Sequence, residues 1–338
     1  MKKRFLWLIV SMVVLSLLIF FNGAPKEKAP EAKVKKYTFY YVDHGVPGNP
    51  FWAVYFKGIE EAAAALAPYG VEVKHLSAEA DVKKQIDMLK QAVAANPDGL
   101  VTTMIDPKSF DPILKPAIAK GLPVMAANVE DPRPVGERIP YLAYYGEDTW
   151  KSGVELADAV IRYIKETNGF KPKFVLLCNP MAGHYVWEAR LQMVGETLEK
   201  AYGTKSEKIV VGEDPTKAME IIRAYVVKNP NVDMIVAPVH FTHACTTLLP
   251  QLGKTPGKDI YLACFDLMAE TLQDIKDGKV IATHDQQQYL QGFLPLIDLY
   301  LYLEKYKVHP YGIVGTGPII VDRHNVDSVL AGTKAGYR

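Results

Sequence analysis

From residue 37 onward the chain alternates short apolar runs with longer stretches whose apolar positions recur at helical spacing. In the first half the short runs cover 37–42, 71–76, 99–104, 123–127 and 141–145, and they are rich in β-branched and aromatic residues, which predicts strands. Helical patterns begin near Pro50, Ala80 and Lys108. The second half repeats this rhythm, with strands over 173–178, 208–211, 233–237, 260–265 and 280–283 and helices from about Tyr185, Pro215, Phe241 and Met268. Strand–helix alternation with short connections predicts parallel sheets covered on both faces, and the repetition predicts two such α/β lobes. A further helix over 287–306 follows, and Gly315-Thr316-Gly317-Pro318 then leads into a last strand over 319–321. These surplus elements imply that the chain crosses between lobes more than once, near 145–146, 284–286 and 311–315. The expected division is 36–145 plus 286–311 for the first lobe and 146–285 plus 312–338 for the second.

The first 24 residues break the pattern. Lys2, Lys3 and Arg4 precede an unbroken apolar run over 5–21, which reads as an export signal or an uncleaved N-terminal anchor. Residues 25–35 are charged, lack aromatics and carry two prolines, the composition of a flexible tether. Either reading of the leader places the rest of the chain outside the cytoplasm, in the periplasm or an equivalent compartment. No Cys follows the run, so lipid attachment there is excluded. The 338 residues carry 39 Lys and Arg against 38 Asp and Glu, a net charge of +1, which argues against a nucleic-acid partner. Three cysteines are too few for a disulfide scaffold. Cys178 and Cys264 end apolar runs and read as buried, inert thiols, while a Cys245–Cys264 bridge stays open.

Candidate chemistry concentrates in Val46-Pro47-Gly48-Asn49-Pro50-Phe51-Trp52, directly after the first strand. Asn49 is a good N-cap, because its side-chain oxygen accepts from an orphan backbone N–H, and Pro50 suits the first helical position. Phe51 and Trp52 then lie on the first turn, at the carboxyl end of a strand, which is where open α/β sheets bind ligands. Two rings beside a capping amide suit a polar ring with an apolar face, namely a sugar; either ring alone reads better as packing on the sheet. A dinucleotide site would need G-x-G-x-x-G at this turn, and prolines stand where its backbone donors belong. No G-x-S-x-G or zinc-protease motif occurs and no nucleophile is evident, so the chain reads as a binding protein, not an enzyme, with no cofactor. His240 and His243 lack a third ligand, so no metal site is expected. The N-terminal space that a DNA-binding module would occupy holds the leader and tether.

Several further motifs occur in order: Gly121-Leu122-Pro123-Val124; Asp148 with Gly153; Arg190; Asn229-Pro230-Asn231-Val232-Asp233; Phe265-Asp266; and Asp277-Gly278-Lys279-Val280 before Asp285-Gln286-Gln287. Together with Asn49-Pro50-Phe51-Trp52, they make residues 36–330 resemble the type I periplasmic binding proteins for simple sugars, the solute receptors of bacterial ABC importers. The resemblance implies two flavodoxin-like lobes, doubly wound parallel sheets joined by a three-segment hinge, with a sugar in the cleft. It implies that Phe51 and Trp52 sandwich the sugar ring, that Asn49 and Asn128 make polar contacts, and that Arg190 holds two sugar oxygens at once. It further implies that Asp266 accepts from adjacent hydroxyls and that Gln286 is a hinge amide reaching the ligand. Asn128-Val129 stands where family members often carry Asp-Arg, and His240 where they tend to carry Asn or Asp. Fewer charged contacts result, which makes a cyclic polyol such as inositol worth testing beside pentoses and hexoses.

The residues themselves leave alternatives. Asp266 reads also as an N-cap before Met268, and Arg190 as part of a solvated helix face with Glu188 and Gln192. Asp106, followed by Pro107, either caps the next helix or reaches into the cleft. His44 and His184 read as lone polar loop residues, and Trp150 as packing. One or two of Asp285, Gln286 and Gln287 are expected to satisfy backbone groups at a crossing. The implied partners are a monosaccharide or polyol and an ABC permease, with the receptor a monomer. A membrane sensor as the receiving partner, or a nucleoside ligand on the same fold, is the alternative.

Overall fold

The computed structural model describes residues 35–167, 170–307 and 312–338. The leader, all but the last residue of the tether, and Tyr311 of the expected third crossing lie outside them.

The first lobe is built on β1 (Tyr37–Asp43), β2 (Val71–Ser77), β3 (Gly99–Thr102), β4 (Val124–Ala127) and β5 (Tyr144–Glu147), joined by a later strand, β11 (Ile313–Gly317). The order is β11-β5-β4-β3-β1-β2 and every pairing is parallel, the doubly wound arrangement with its switch point between β1 and β3. Side chains of β1 alternate between the two faces of the sheet. Phe39 and Tyr41 join one core with α1 (Pro50–Leu66) and α9 (Gln288–Leu301), while Tyr40 and Val42 join another with α2 (Val82–Ala94) and α3 (Pro107–Ala119).

The second lobe repeats this logic around β6 (Phe174–Asn179), β7 (Lys205–Val210), β8 (Met234–Pro238) and β9 (Tyr261–Phe265), in the parallel order β7-β6-β8-β9. Val175 and Leu177 of β6 pack in one core with α4 (Thr149–Thr167) and α5 (Tyr185–Tyr202). Leu176 and Cys178 pack in the other with α6 (Pro215–Lys228), α7 (Val239–Gln251), α8 (Ala269–Lys276) and α10 (Val326–Lys334). Beside β9, β10 (Ala282–Asp285) runs antiparallel to β12 (Ile319–Asp322).

The expected lobe boundaries need two corrections. β5 runs to Glu147, so the first crossing follows Glu147 and not Tyr145. Residues 313–317 pair with β5 of the first lobe, so the last crossing falls after Gly317, beyond the expected 311–312. The glycines of Gly315-Thr316-Gly317 resemble a turn signal, but the backbone ladder to β5 decides the conformation. The long helix over 287–306 ends at Leu301 and closes with one wider π turn, Tyr302–Tyr306. All three cysteines are free and buried, so Cys245 and Cys264 are not bridged.

The α1 and α9 helices touch at backbone level. A Cβ on Gly58 would lie 2.2 Å from the Tyr289 carbonyl oxygen, and one on Gly292 would lie 2.2 Å from that of Tyr55. Behind the crossings, the chain after α10 lies on the first lobe. Lys57 Nζ donates to the Ala335 carbonyl at 2.9 Å and sits 3.7 Å over the Tyr337 ring, and Arg338 Nη1 donates to Asp285 Oδ2 at 2.8 Å.

Candidate functional site

The carboxyl ends of both sheets face a cavity of about 120 Å³ walled by the two lobes. One water needs about 10–15 Å³ of such space, so the cavity admits several waters or one small ring. Eight of the nine residues singled out from sequence line it: Asn49, Phe51, Trp52 and Asn128 from the first lobe, Arg190, His240 and Asp266 from the second, and Gln286 from a crossing. The ninth, Asp106, does not. It caps α3, accepting from the Ser109 N–H at 3.2 Å and the Ser109 hydroxyl at 2.6 Å. An Asp before Pro is a cap by local chemistry, and here the local partner wins.

The first-lobe wall follows from the β1–α1 turn. Asn49 caps α1 through its Oδ1, 3.0 Å from the Phe51 N–H, with Pro50 at the first helical position. Phe51 and Trp52 meet at 87° with centroids 5.0 Å apart. They are therefore not two parallel plates, and the sandwich that the resemblance implied for this pair is not formed by these rings together. Trp52 is 7% exposed and packs on His44, Tyr55 and Phe56 as part of the core. Phe51 is only half-buried. A further ring, Trp187, lines the cavity from the second lobe. It stands three residues before Arg190 on α5, a helical spacing that puts both on one face and was readable in the sequence.

Asn128 leaves β4 with φ 62° and Asp266 leaves β9 with φ 75°. Asn128 Nδ2 donates to Gln291 Oε1 at 2.9 Å. Gln291 Nε2 in turn lies 3.0 Å from Gln286 O, Gln286 Oε1 and Thr316 Oγ1, and Gln286 Nε2 donates to Asp266 Oδ1 at 2.6 Å. One buried amide of α9 thus joins both lobes' wall residues to two crossings. Asp266 is not a helix cap; the residue before α8 is Met268. Asp285 Oδ1 accepts from the Gln287 N–H and Gln287 Nε2 donates to the Thr316 carbonyl, so this trio does satisfy backbone groups at a crossing.

Arg190 is buried, not part of a solvated face. Its Nε donates to Glu147 Oε1 at 2.7 Å, and its Nη2 lies 2.6 Å from the same oxygen and 3.8 Å from Asp266 Oδ1. Nη2 has no well-aligned acceptor among the described residues. The guanidinium lies over the rings of Trp187 and Phe265, at 5.2 and 4.9 Å. Glu147 and His284 were not singled out from sequence: each sits in a strand at a crossing, where nothing local announces a buried charge. Burial works to raise the Glu147 carboxyl, but the charges of Arg190 and His284 and the hydrogen bonds from His284 and Ser152 outweigh it and bring it down to about 2.

Two histidines weighed as loop residues also line the cavity, one from each lobe. His44 and His184 face each other with ring centroids 5.9 Å apart. His44 Nδ1 bonds Thr103 Oγ1 at 2.8 Å, while His184 Nδ1 is buried without a hydrogen-bond partner among the described residues. Burial pushes the His44 imidazole well below its ordinary value, with His184 adding to the effect. Burial and then the Arg190 charge lower His184 to about 4. His240 is lowered by burial, with Asp266 opposing. His243 pairs instead with Asp274 at 2.6 Å. Among the described residues no cluster of His, Cys, Asp and Glu has the makings of a metal site.

Two doubly wound lobes, three crossings and a polar cavity between them define a two-lobed solute receptor. The periplasmic binding protein domain family matches residues 44–307, and the chain belongs to it: an extracytoplasmic binding protein of the ABC-transporter solute-receptor type, not an enzyme. It is 26% identical over 318 residues to the xylose/arabinose-binding protein of Sulfolobus acidocaldarius, covering 91% of this chain and 76% of that one. It is 25% identical over 253 residues to the ribose import binding protein of Bacillus subtilis, covering 73% and 75%. Among solved structures, a carbohydrate transporter protein of Acidothermus cellulolyticus in complex with myo-inositol superposes with a TM-score of 0.76 at 26% identity, covering 90% of this chain and 100% of that one.

Proposed function

We propose that the protein binds one monosaccharide or cyclic polyol between its lobes and delivers it to an ABC permease as a monomeric receptor, exported by a leader that is cleaved or stays as an anchor. The observation that carries this reading is the cavity itself. It is sized for one ring and walled by aromatic side chains beside three carboxamides, a guanidinium and two carboxylates. A hydroxyl is donor and acceptor at once, and desolvating it unpaired costs about 1–3 kcal/mol. Asn49, Asn128, Arg190, His240, Asp266 and Gln286 offer both kinds of partner from both lobes, so a ligand that bridges them favours closure. The relatives' own ligands, xylose or arabinose, ribose and myo-inositol, support a small polyhydroxylated ring.

A thermal-shift screen with pentoses, hexoses, inositols, nucleosides and amino acids tests the proposal. Ligand at a hundredfold excess over Kd stabilises a protein that binds it only when folded by about 2.7 kcal/mol. A selective rise with one sugar or polyol is expected. A rise with a nucleoside or amino acid and none with any sugar would overturn the reading.

A further inference from the structure

Arg190 is the one Lys or Arg among the described residues that line the cavity, and its charge is already matched. Its side chain is 2% exposed and that of Glu147 is 1% exposed, with two guanidinium nitrogens within 2.7 Å of one carboxylate oxygen. The other oxygen, Oε2, accepts from the Ser152 hydroxyl at 2.6 Å and lies 2.5 Å from His284 Nε2. The carboxylate is therefore fully engaged from inside the protein and is not free to release Arg190 to an incoming anion. Asp266 lies 3.8 Å from the same guanidinium, and Glu213 stands on the wall as a further carboxylate. Counting Arg190 against Glu147, Asp266 and Glu213, the cavity has no surplus positive charge, and it gains none even with a proton added to His284. The α5, α7 and α8 helices begin at this wall without side-chain caps, and each supplies roughly half a positive charge. Set against two uncompensated carboxylates, these partial charges bring the wall no further than near neutrality, while their N–H groups suit hydroxyl oxygens.

We propose that Glu147 is a positioning residue that sets the ligand class. By holding Arg190 in a buried ion pair, it makes this guanidinium of the cleft a neutralised hydrogen-bond donor, so that the site takes uncharged polyhydroxylated rings and rejects sugar acids and sugar phosphates. This inference rests on the sugar reading above. The buried pair keeps the fork fixed toward the cavity, with Nη2 left for a ligand oxygen. A carboxylate or phosphate entering there meets Asp266 and Glu213 without a free cation to offset its own desolvation.

The test compares matched neutral and anionic probes on the whole protein by calorimetry: D-ribose with D-ribose 5-phosphate, D-galactose with D-galacturonate, and myo-inositol with inositol 1-phosphate. The wild type is expected to bind the neutral member of the recognised pair at least a hundredfold more tightly than the charged one. Glu147→Gln keeps an acceptor for Arg190 Nε but removes the charge, and it is expected to move that ratio at least tenfold toward the anion. A purely structural role for Glu147 would weaken both probes alike and leave the ratio where it was. The double variant Glu147→Gln/Arg190→Gln, which removes both charges of the buried pair and leaves the net charge of the wall as in the wild type, is expected to restore the wild-type ratio; a double variant that keeps the anion preference overturns the proposal. If Glu147→Gln does not fold, the wild-type ratio still decides, because a wild type that takes the anion as tightly as its neutral counterpart overturns the proposal. Neutral-sugar binding with a ratio unmoved by Glu147→Gln overturns this inference alone. A wild type that binds no member of any pair but responds to an amino acid overturns the sugar reading and this inference with it.

Discussion

Asn128 and Asp266 occupy matching places, each the residue after a strand whose end faces the cavity, and each has left-handed backbone, with φ 62° and 75°. Asn and Asp are the side-chain-bearing residues that tolerate this conformation best, and such strain collects at ligand sites. The sequence marks both positions by residue type but does not show what holds them, because Gln291, 163 residues from Asn128, supplies the partner. Phe51 and Trp52 look alike in sequence and separate in the structure. Trp52 is embedded among three other rings, so Trp52→Ala costs about 3–5 kcal/mol of stability. Phe51, half-buried on the same wall, is the ring whose removal spares the fold. Phe51→Ala is expected to weaken sugar binding about fivefold, roughly 1 kcal/mol, with Tm nearly unchanged, as calorimetry on a folded variant would show. Undiminished affinity would confine Phe51 to packing.

Strands and helices were legible because short continuous apolar runs, such as β3, β4 and β6, differ in length and spacing from the 3.6-residue pattern of the helices between them. What was not legible was the partner of β11, since backbone pairing of a Gly-Thr-Gly segment leaves no hydrophobic signature. The close α1–α9 contact is a further case: Gly58 and Gly292 lie in different parts of the chain, and neither announces its partner. Adding a methyl at Gly292 drives it into the Tyr55 carbonyl oxygen, so Gly292→Ala is expected to cost about 1–3 kcal/mol or more, read as a lower urea midpoint with unchanged m-value. Gln291→Ala leaves Asn128 and Gln286 without their shared buried partner. It is expected to cost about 1–3 kcal/mol per orphaned group and also to weaken ligand binding, since both amides stand at the cavity wall. A variant with lowered stability and intact affinity would separate the crossing from the site.

Across the whole molecule, the two lobes bring together groups that the chain keeps far apart, and this gives the protein a dependence on acidity. His44 of the first lobe and His184 of the second share the cavity wall, with Thr103 and Trp52 against the former and Arg190 near the latter. Burial lowers both imidazoles from an ordinary 6.5, His184 to about 4, so between these values the unfolded chain holds protons that the folded protein refuses. Stability then rises with pH in that window: it is fully present above about 6.5 and is lost as pH falls through about 4. Glu147, lowered from 4.5 to about 2, adds a second loss at lower pH, full above 4.5 and gone below about 2. Glu130, Glu213 and Asp285, raised by burial, act in the opposite sense, so a variant comparison is more decisive than the wild-type slope alone. His44→Asn/His184→Asn is expected to flatten the fall in Tm between pH 6.5 and 4 while leaving the more acidic loss in place. Ligand affinity should hold through this window, where both imidazoles of the folded protein stay neutral, and fall only as His184 takes its proton near pH 4 and sets a like charge beside Arg190 on the cavity wall. Parallel Tm and affinity profiles of wild type and double variant from pH 8 to pH 3 test this, and identical slopes in the two proteins would assign the acid response to groups outside the cleft.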